Sequence, residues 1–192
     1  HSPDHEEVFK AADSACYAAK SAGRNRVHVY SQDDQEIRDR RGEAQWMVRI
    51  QHALEENQFQ LFYQPIVPVQ EDLAGPVHYE VLLRMIGADG ELIPPGAFIP
   101  AAERYQIMSR VDMWVIEHLF SWIAQHWNLQ STDVFAINLS GQSMSEEKML
   151  RHIRKMLDQY SILPDRVCFE ITETAAIRNL SKAQQFMDEM RR

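Results

Sequence analysis

The sequence predicts an α/β fold, a parallel sheet with helices packed outside it. Two observations carry the prediction. From residue 77 onward the apolar pattern runs through three successive strand–helix units, the order expected of parallel strands joined by helical crossovers. The composition is also that of an ordinary globular protein, 45% hydrophobic and 25% charged over 192 residues, with room for one full domain or parts of two.

Each element follows from local pattern. Residues 5–22 read as a helix, with Val8, Ala12, Ala15, Cys16 and Ala19 at helical spacing and Gly23 where a C-terminal cap belongs. Val27, Val29 and Tyr30 suggest a short strand. Residues 31–42, SQDDQEIRDRRG, are almost wholly polar and read as a linker or a solvated helix between domains. The next helix, 43–57, has an apolar stripe of Trp46, Val48, Ile50, Ala53 and Leu54. FQLFYQPIV at 59–67 and VHYEVLLRMI at 77–86 are rich in aromatic and β-branched residues and read as strands, the second closed by the turn signal GADG at 87–90.

Pro94, Pro95 and Gly96 then break the chain before one long helical stretch, 101–126, whose face is Ile107, Val111, Trp114, Val115, Leu119 and Trp122. VFAINLS at 134–140 is a strand. A helix follows over 143–160, with Ser143 and Glu146 spaced as a capping box and Leu163 and Pro164 beyond its end. RVCFEIT at 166–172 is the last strand. The last helix, 180–192, uses Leu180, Ala183, Phe186, Met187 and Met190. A (β/α)8 barrel needs about 250 residues, and only about 150 follow the polar segment, so a barrel built from this chain is expected to be unfinished.

Charge and composition exclude some functions. The formal net charge of -8 argues against a protein that grips long nucleic acid through a basic face. It leaves room for a small phosphorylated ligand, because a bound divalent cation reverses the local sign. Cys16 and Cys168 are isolated and read as two buried thiols in a reducing compartment, hence a cytoplasmic location. No run of about 18 apolar residues appears, and HSPDHEEVF has neither the basic start nor the apolar core of a signal peptide. The absence of an initial Met suggests an excised segment, with any sensory domain or membrane anchor upstream out of view. The histidines are scattered. His118 reads as a packed residue, and Trp114 and Trp122 as core or dimer surface.

Side chains alternate across a strand. Glu80, Leu82 and Arg84 therefore share one face, against Val81, Leu83 and Met85 on the other. Asn138 shares a face with Ala136 and Ser140, and Glu170 with Cys168 and Thr172. Each strand thus presents one chemistry-bearing polar residue near its C-terminal half, and Glu80, Asn138 and Glu170 are expected to converge at the C-terminal mouth of the sheet. Burying a lone carboxylate costs several kcal/mol. Two carboxylates and an amide, all oxygen donors, suit Mg²⁺ or Mn²⁺. The competing reading is a set of exposed polar residues on an open antiparallel sheet.

Two motif sets carry a family resemblance. ADSACYAAKSAGRNRVHVY, residues 12–30, resembles the closing helix and strand of a GGDEF domain, with Asp13, Tyr17, Lys20, Gly23, Arg24, Asn25 and Arg26 matching. It covers only that family's tail, without the signature loop, so it implies no cyclase activity. YQPIV at 63–67, EVLLR at 80–84, PPGAFIPAAE at 94–103, DMWVI at 112–116, INLS at 137–140 and FEITET at 169–174 come in the order and spacing of an EAL domain. The resemblance implies an incomplete TIM-like (β/α)8 barrel of EAL type over residues 43–192. A 31–42 linker precedes it, and a short α+β remnant of a GGDEF domain lies at 1–30.

The resemblance also implies hydrolysis of cyclic di-GMP to pGpG in bacterial signalling. By the same resemblance Glu80, Asn138 and Glu170 are metal ligands and Glu173 supports the metal site. Glu80, Glu170 and Glu173 are then the catalytic residues, Arg84 binds phosphate and Gln64 contacts the ligand. Read from the residues alone, Arg84 has an alternative role as a salt-bridge partner of Glu80. Val81 replaces the usual alanine of the motif, on the face opposite Glu80, with little effect expected. The family's Asp-Asp-Phe-Gly stretch and downstream lysine lie beyond Arg192, so this segment alone is expected to be inactive and its parent protein a working hydrolase. A homodimer is expected. The alternative is a non-catalytic cyclic di-GMP receptor. Proteins of that kind usually lose the metal-binding glutamates that are retained here.

Overall fold

A computed structural model of the chain describes residues 35–69, 75–128, 131–172, 176–177 and 180–191, with isolated residues 12 and 27. The predicted helix at 5–22 and strand at 27–30 lie outside the described residues apart from Ala12 and Val27, and so does Glu173. The chain divides into two compact units, His1–Val48 and Arg49–Arg192, and the second holds the sheet.

Helix α1 (Gln35–Glu55) begins well before residue 43, so the polar run is helical from Gln35 onward. Ile50 and Ala53 are buried on its last turns. Asn57, at φ 53°, turns the chain in the left-handed region that Asn tolerates, and the Gln58 N–H closes the helix on the Ala53 carbonyl at 2.8 Å. Strand β1 (Phe59–Ile66) follows and runs antiparallel to β2 (His78–Ile86), in register from Phe59↔Met85 to Ile66↔His78. A two-residue strand β3 (Leu92–Ile93) folds back on the end of β2 as a hairpin. Gly90 supplies the positive φ of 78° that this turn requires. The turn is legible in the sequence and the strand is not, because two residues are too short for a periodic signal.

The predicted long helix is two helices. α2 (Pro95–Arg104) starts inside the segment expected to break the chain, because proline is well suited to the first helical position. α3 (Met108–His126) follows after Gln106, at φ 60°, reverses the backbone. Strand β4 (Val134–Leu139) comes next. The helix predicted over 143–160 is also divided, into α4 (Gly141–Met144) and α5 (Glu147–Tyr160). The Ser143–Glu146 capping box does not form. Ser140 caps α4 by accepting from the Ser143 N–H at 3.2 Å, the Ser143 hydroxyl donates to Asp112, and Glu146 accepts from Ser109. Ser161, at φ 54°, ends α5, and a 3₁₀ turn (Pro164–Arg166) leads to β5 (Val167–Ile171). Helix α6 (Leu180–Met190) is the last element.

The sheet order is β1-β2-β4-β5, with β3 off the edge of β2. β2 and β4 pair in parallel from His78↔Val134 to Val81↔Ile137, and β4 and β5 from Phe135↔Val167 to Leu139↔Ile171. Parallel neighbours need crossovers, which α2–α3 and α4–α5 provide. One sheet face is covered by these helices. Phe59, Val81, Met85, Phe135, Ile137 and Leu139 are buried there, against core residues that include Phe98 of α2, Phe120 of α3 and Ile153 of α5. Where the strands start, Tyr79, Trp127 and Phe135 form an aromatic cluster with ring centroids 5.2 to 5.4 Å apart. Aromatic pairs at such distances each add about 0.5–1.5 kcal/mol beyond their burial. Trp114 is a core residue, and His118 stacks on it at 3.7 Å, packed as expected. The mixed sheet with outer helices is an α/β fold that fits an incomplete TIM-like barrel.

Candidate active site

The opposite sheet face is mixed, with accessible polar strand residues beside Phe62, Leu82 and the buried Ala136. Strand registers put Gln64 and Glu80 in one cross-strand pair and Asn138 and Glu170 in another. Glu80 pairs with Ala136, two residues before Asn138, so the carboxylate and the amide meet on a diagonal. Adjacent strands lie about 4.8 Å apart, within reach of both side chains. The Asn138 Nδ2 donates to Glu80 Oε1 at 3.3 Å. Glu80 is half-buried, while Gln64, Asn138 and Glu170 are exposed.

Asn138 and Glu170 sit near the C-terminal ends of their strands, as expected. Glu80 does not. It is the third residue of β2, because that strand runs on beyond its pairing with β4, held by antiparallel β1 along its length and by β3 at its end. Parallel pairing with β4 ends at Val81, so Glu80 still lies at the end of the parallel segment. Arg84 shares the face four residues further along β2. Its Nη1 donates to the Leu83 carbonyl at 2.8 Å, and its guanidinium carbon lies 5.9 Å from the Phe62 ring centre. The salt bridge to Glu80 is therefore not made among the described residues. Cys168, expected to be buried, is exposed, because it falls on this open face two residues before Glu170. Partial burial and the Glu170 charge push its thiol up.

Beyond Val81 and Ile137, β2 and β4 diverge. A cavity of about 310 Å³ opens between them and helices α2 and α3, reached by Leu82, Asn138, Ser140, Glu103 and Asp112. Asp112 is 4% exposed. Its Oδ2 accepts from the Ser140 N–H at 3.0 Å and the Ser143 hydroxyl at 2.6 Å. Burial pushes its carboxyl up, opposed by the bonds to Ser140 and Ser143. In the sequence Asp112 stands only as the first residue of the DMWVI motif, with no role implied. The usable signal was an acid lodged in the apolar stripe Val111–Trp114–Val115.

Among the described residues no group of three or more His, Cys, Asp or Glu is placed to hold a metal. The donor chemistry nonetheless fits a hard divalent cation. An amide and a carboxylate already touch, a second carboxylate is in register beside the amide, and all three offer oxygen.

Fold and face together define a segment of a (β/α)8-type barrel whose inner strand face carries an oxygen-donor set. The sequence matches the EAL domain family over residues 47–192, and the chain belongs to that family. It is 38% identical over 187 residues to the cyclic di-GMP phosphodiesterase PdeB of Shewanella oneidensis, covering 97% of this chain and 22% of that protein. It is 37% identical over 147 residues to the cyclic di-GMP phosphodiesterase PdeF of Escherichia coli K12, covering 77% of this chain and 19% of that protein. The chain thus spans about a fifth of the length of these relatives. Among solved structures, the FimX EAL domain of Pseudomonas aeruginosa bound to c-di-GMP superposes with a TM-score of 0.68 at 28% identity, over 76% of this chain and 57% of that one. The PaMucR phosphodiesterase in complex with c-di-GMP gives 0.63 at 26% identity, over 77% and 59%.

Proposed function

We propose that the protein to which this chain belongs hydrolyses cyclic di-GMP to pGpG, and that Glu80, Asn138 and Glu170 hold a Mg²⁺ or Mn²⁺ ion for the reaction. The observation that carries this reading is the Asn138–Glu80 hydrogen bond on the face shared with Glu170 and Gln64. The two phosphodiesterase relatives and the two ligand-bound structures support the substrate.

When bound at such a set of oxygens, a divalent ion supplies an activated water and neutralisation of phosphoryl charge. The protein's own part is orientation. Gln64, opposite Glu80 on β1, and Arg84, further along β2, border the same face. Released from the Leu83 carbonyl, the Arg84 guanidinium has the forked geometry to grip a phosphate. Glu173 is proposed to support the metal site. Residues 1–30 are proposed as the tail of a GGDEF domain, 31–42 as a linker and 43–192 as the N-terminal part of the EAL domain. The assembly is proposed to be a cytoplasmic homodimer. No helix among the described residues is long and apolar enough to cross a membrane.

The segment alone is expected to be inactive, and the full-length protein to be active. Product analysis with purified full-length protein tests this. Turnover of cyclic di-GMP to pGpG that requires Mg²⁺ or Mn²⁺ supports the hydrolase, and tight binding without turnover in either metal identifies a receptor instead.

A further inference from the structure

β4 ends one residue after the candidate ligand Asn138, and one buried carboxylate from a different element grips the chain just beyond. Asp112 projects from α3 and is 4% exposed. Its Oδ2 takes two hydrogen bonds from the turn that follows the strand, the Ser140 N–H at 3.0 Å and the Ser143 hydroxyl at 2.6 Å. The turn is tied internally as well, the Ser140 hydroxyl lying 3.2 Å from both the Ser143 N–H and the Ser143 hydroxyl. On the strand side, Asn138 and Leu139 are held by pairing with Glu170 and Ile171. β2 gives no such support at this level, because its pairing with β4 has ended at Val81–Ile137. Asn138 therefore stands where β4 has lost one neighbouring strand and borders the cavity of about 310 Å³. Two residues beyond it, the backbone is fastened through Asp112. Groups that orient metal ligands from behind typically change metal affinity or activity by about 10- to 100-fold when removed.

We infer that Asp112 is a positioning residue, which clamps the β4–α4 turn through Ser140 and Ser143 so that Asn138 is held toward Glu80. The inference rests on the proposed metal site, and it assigns Asp112 no contact with the substrate. Removing the clamp frees the turn and lets the amide leave the ligand set, while strand pairing keeps the fold.

The test uses full-length protein and Mn²⁺ alone as the probe, with free Mn²⁺ followed by its paramagnetic resonance signal. Asp112→Ala is expected to raise the half-saturating Mn²⁺ concentration about 10- to 100-fold. In the Asn138→Ala background the same substitution is expected to change it less than about twofold, because the residue it acts through is gone. Should Asp112→Ala not fold, Asp112→Asn and Ser143→Ala carry the same comparison with smaller shifts in the same direction. Unchanged Mn²⁺ affinity in these variants overturns the clamp while leaving the metal site standing. Equal losses with and without Asn138 also overturn it, and so does a raised KM for cyclic di-GMP at saturating Mn²⁺ with unchanged Mn²⁺ affinity. If the unaltered protein shows no saturable Mn²⁺ binding, the metal site itself fails and the clamp fails with it.

Discussion

Glu80 and Val81 are adjacent in the chain and point to opposite faces of β2, so substituting each in turn separates chemistry from packing. Val81 is 5% exposed on the helix-covered face. Val81→Ala removes two buried carbons. At about 0.8 kcal/mol per buried methylene the transfer loss is about 1.6 kcal/mol. The residual cavity brings the total cost to about 2 kcal/mol. A domain of ordinary stability remains almost entirely folded after such a loss, and turnover should stay within about twofold.

Glu80→Gln keeps the shape and leaves an oxygen to accept from Asn138, so a half-exposed site should lose no more than about 0.5 kcal/mol. It removes the charge of a proposed metal ligand, and turnover should fall by at least about 100-fold. Urea midpoints and initial rates of pGpG formation on the full-length protein measure both quantities. The reasoning is refuted if Glu80→Gln destabilises as much as Val81→Ala while sparing the rate. A Val81→Ala protein that is folded but inactive would refute it equally.

Three further outcomes are expected. Arg84→Ala should raise the KM for cyclic di-GMP by about 10-fold or more, the worth of the proposed charge-assisted phosphate contact, with little change in the urea midpoint. Arg84→Lys should restore only part of the loss because an ammonium cannot form the fork. Phe135→Ala, at a position 2% exposed and ringed by Tyr79 and Trp127, should cost about 3–5 kcal/mol in denaturant titration. Asp133 accepts from the Trp127 indole and the Val77 N–H, and hydrogen bonding with Ser131, ahead of an opposing effect of burial, holds its carboxyl below the usual range. A carboxyl lowered in the folded state contributes stability above its unfolded pKa and loses it as pH falls through the folded value. Asp133→Asn should therefore cost about 1 kcal/mol at neutral pH, and the gap to the unaltered protein should close on acidification.

Face assignment was legible in the sequence because a strand's period of two is insensitive to where its ends fall. Glu80, Asn138 and Glu170 share one face as the alternation requires. What the sequence hid were interruptions a residue or two long. A single residue at positive φ, Gln106, splits one predicted helix, and Ser140 rather than Ser143 caps the next. Glu80 is offset toward the start of β2 because that strand serves two partners, antiparallel β1 and parallel β4, and no local pattern encodes a shared strand. Asp112 escaped notice for a related reason. Its partners, Ser140 and Ser143, lie about 30 residues away, and only tertiary packing brings them together.

Anomalous diffraction from crystals of the full-length protein soaked in Mn²⁺ is the most direct test of the central claim. The expected result is one strong peak about 2.1 Å from oxygens of Glu80, Asn138 and Glu170 together, the range of a small divalent ion on hard ligands. A peak that excludes Asn138, or none on this face, would contradict the claim.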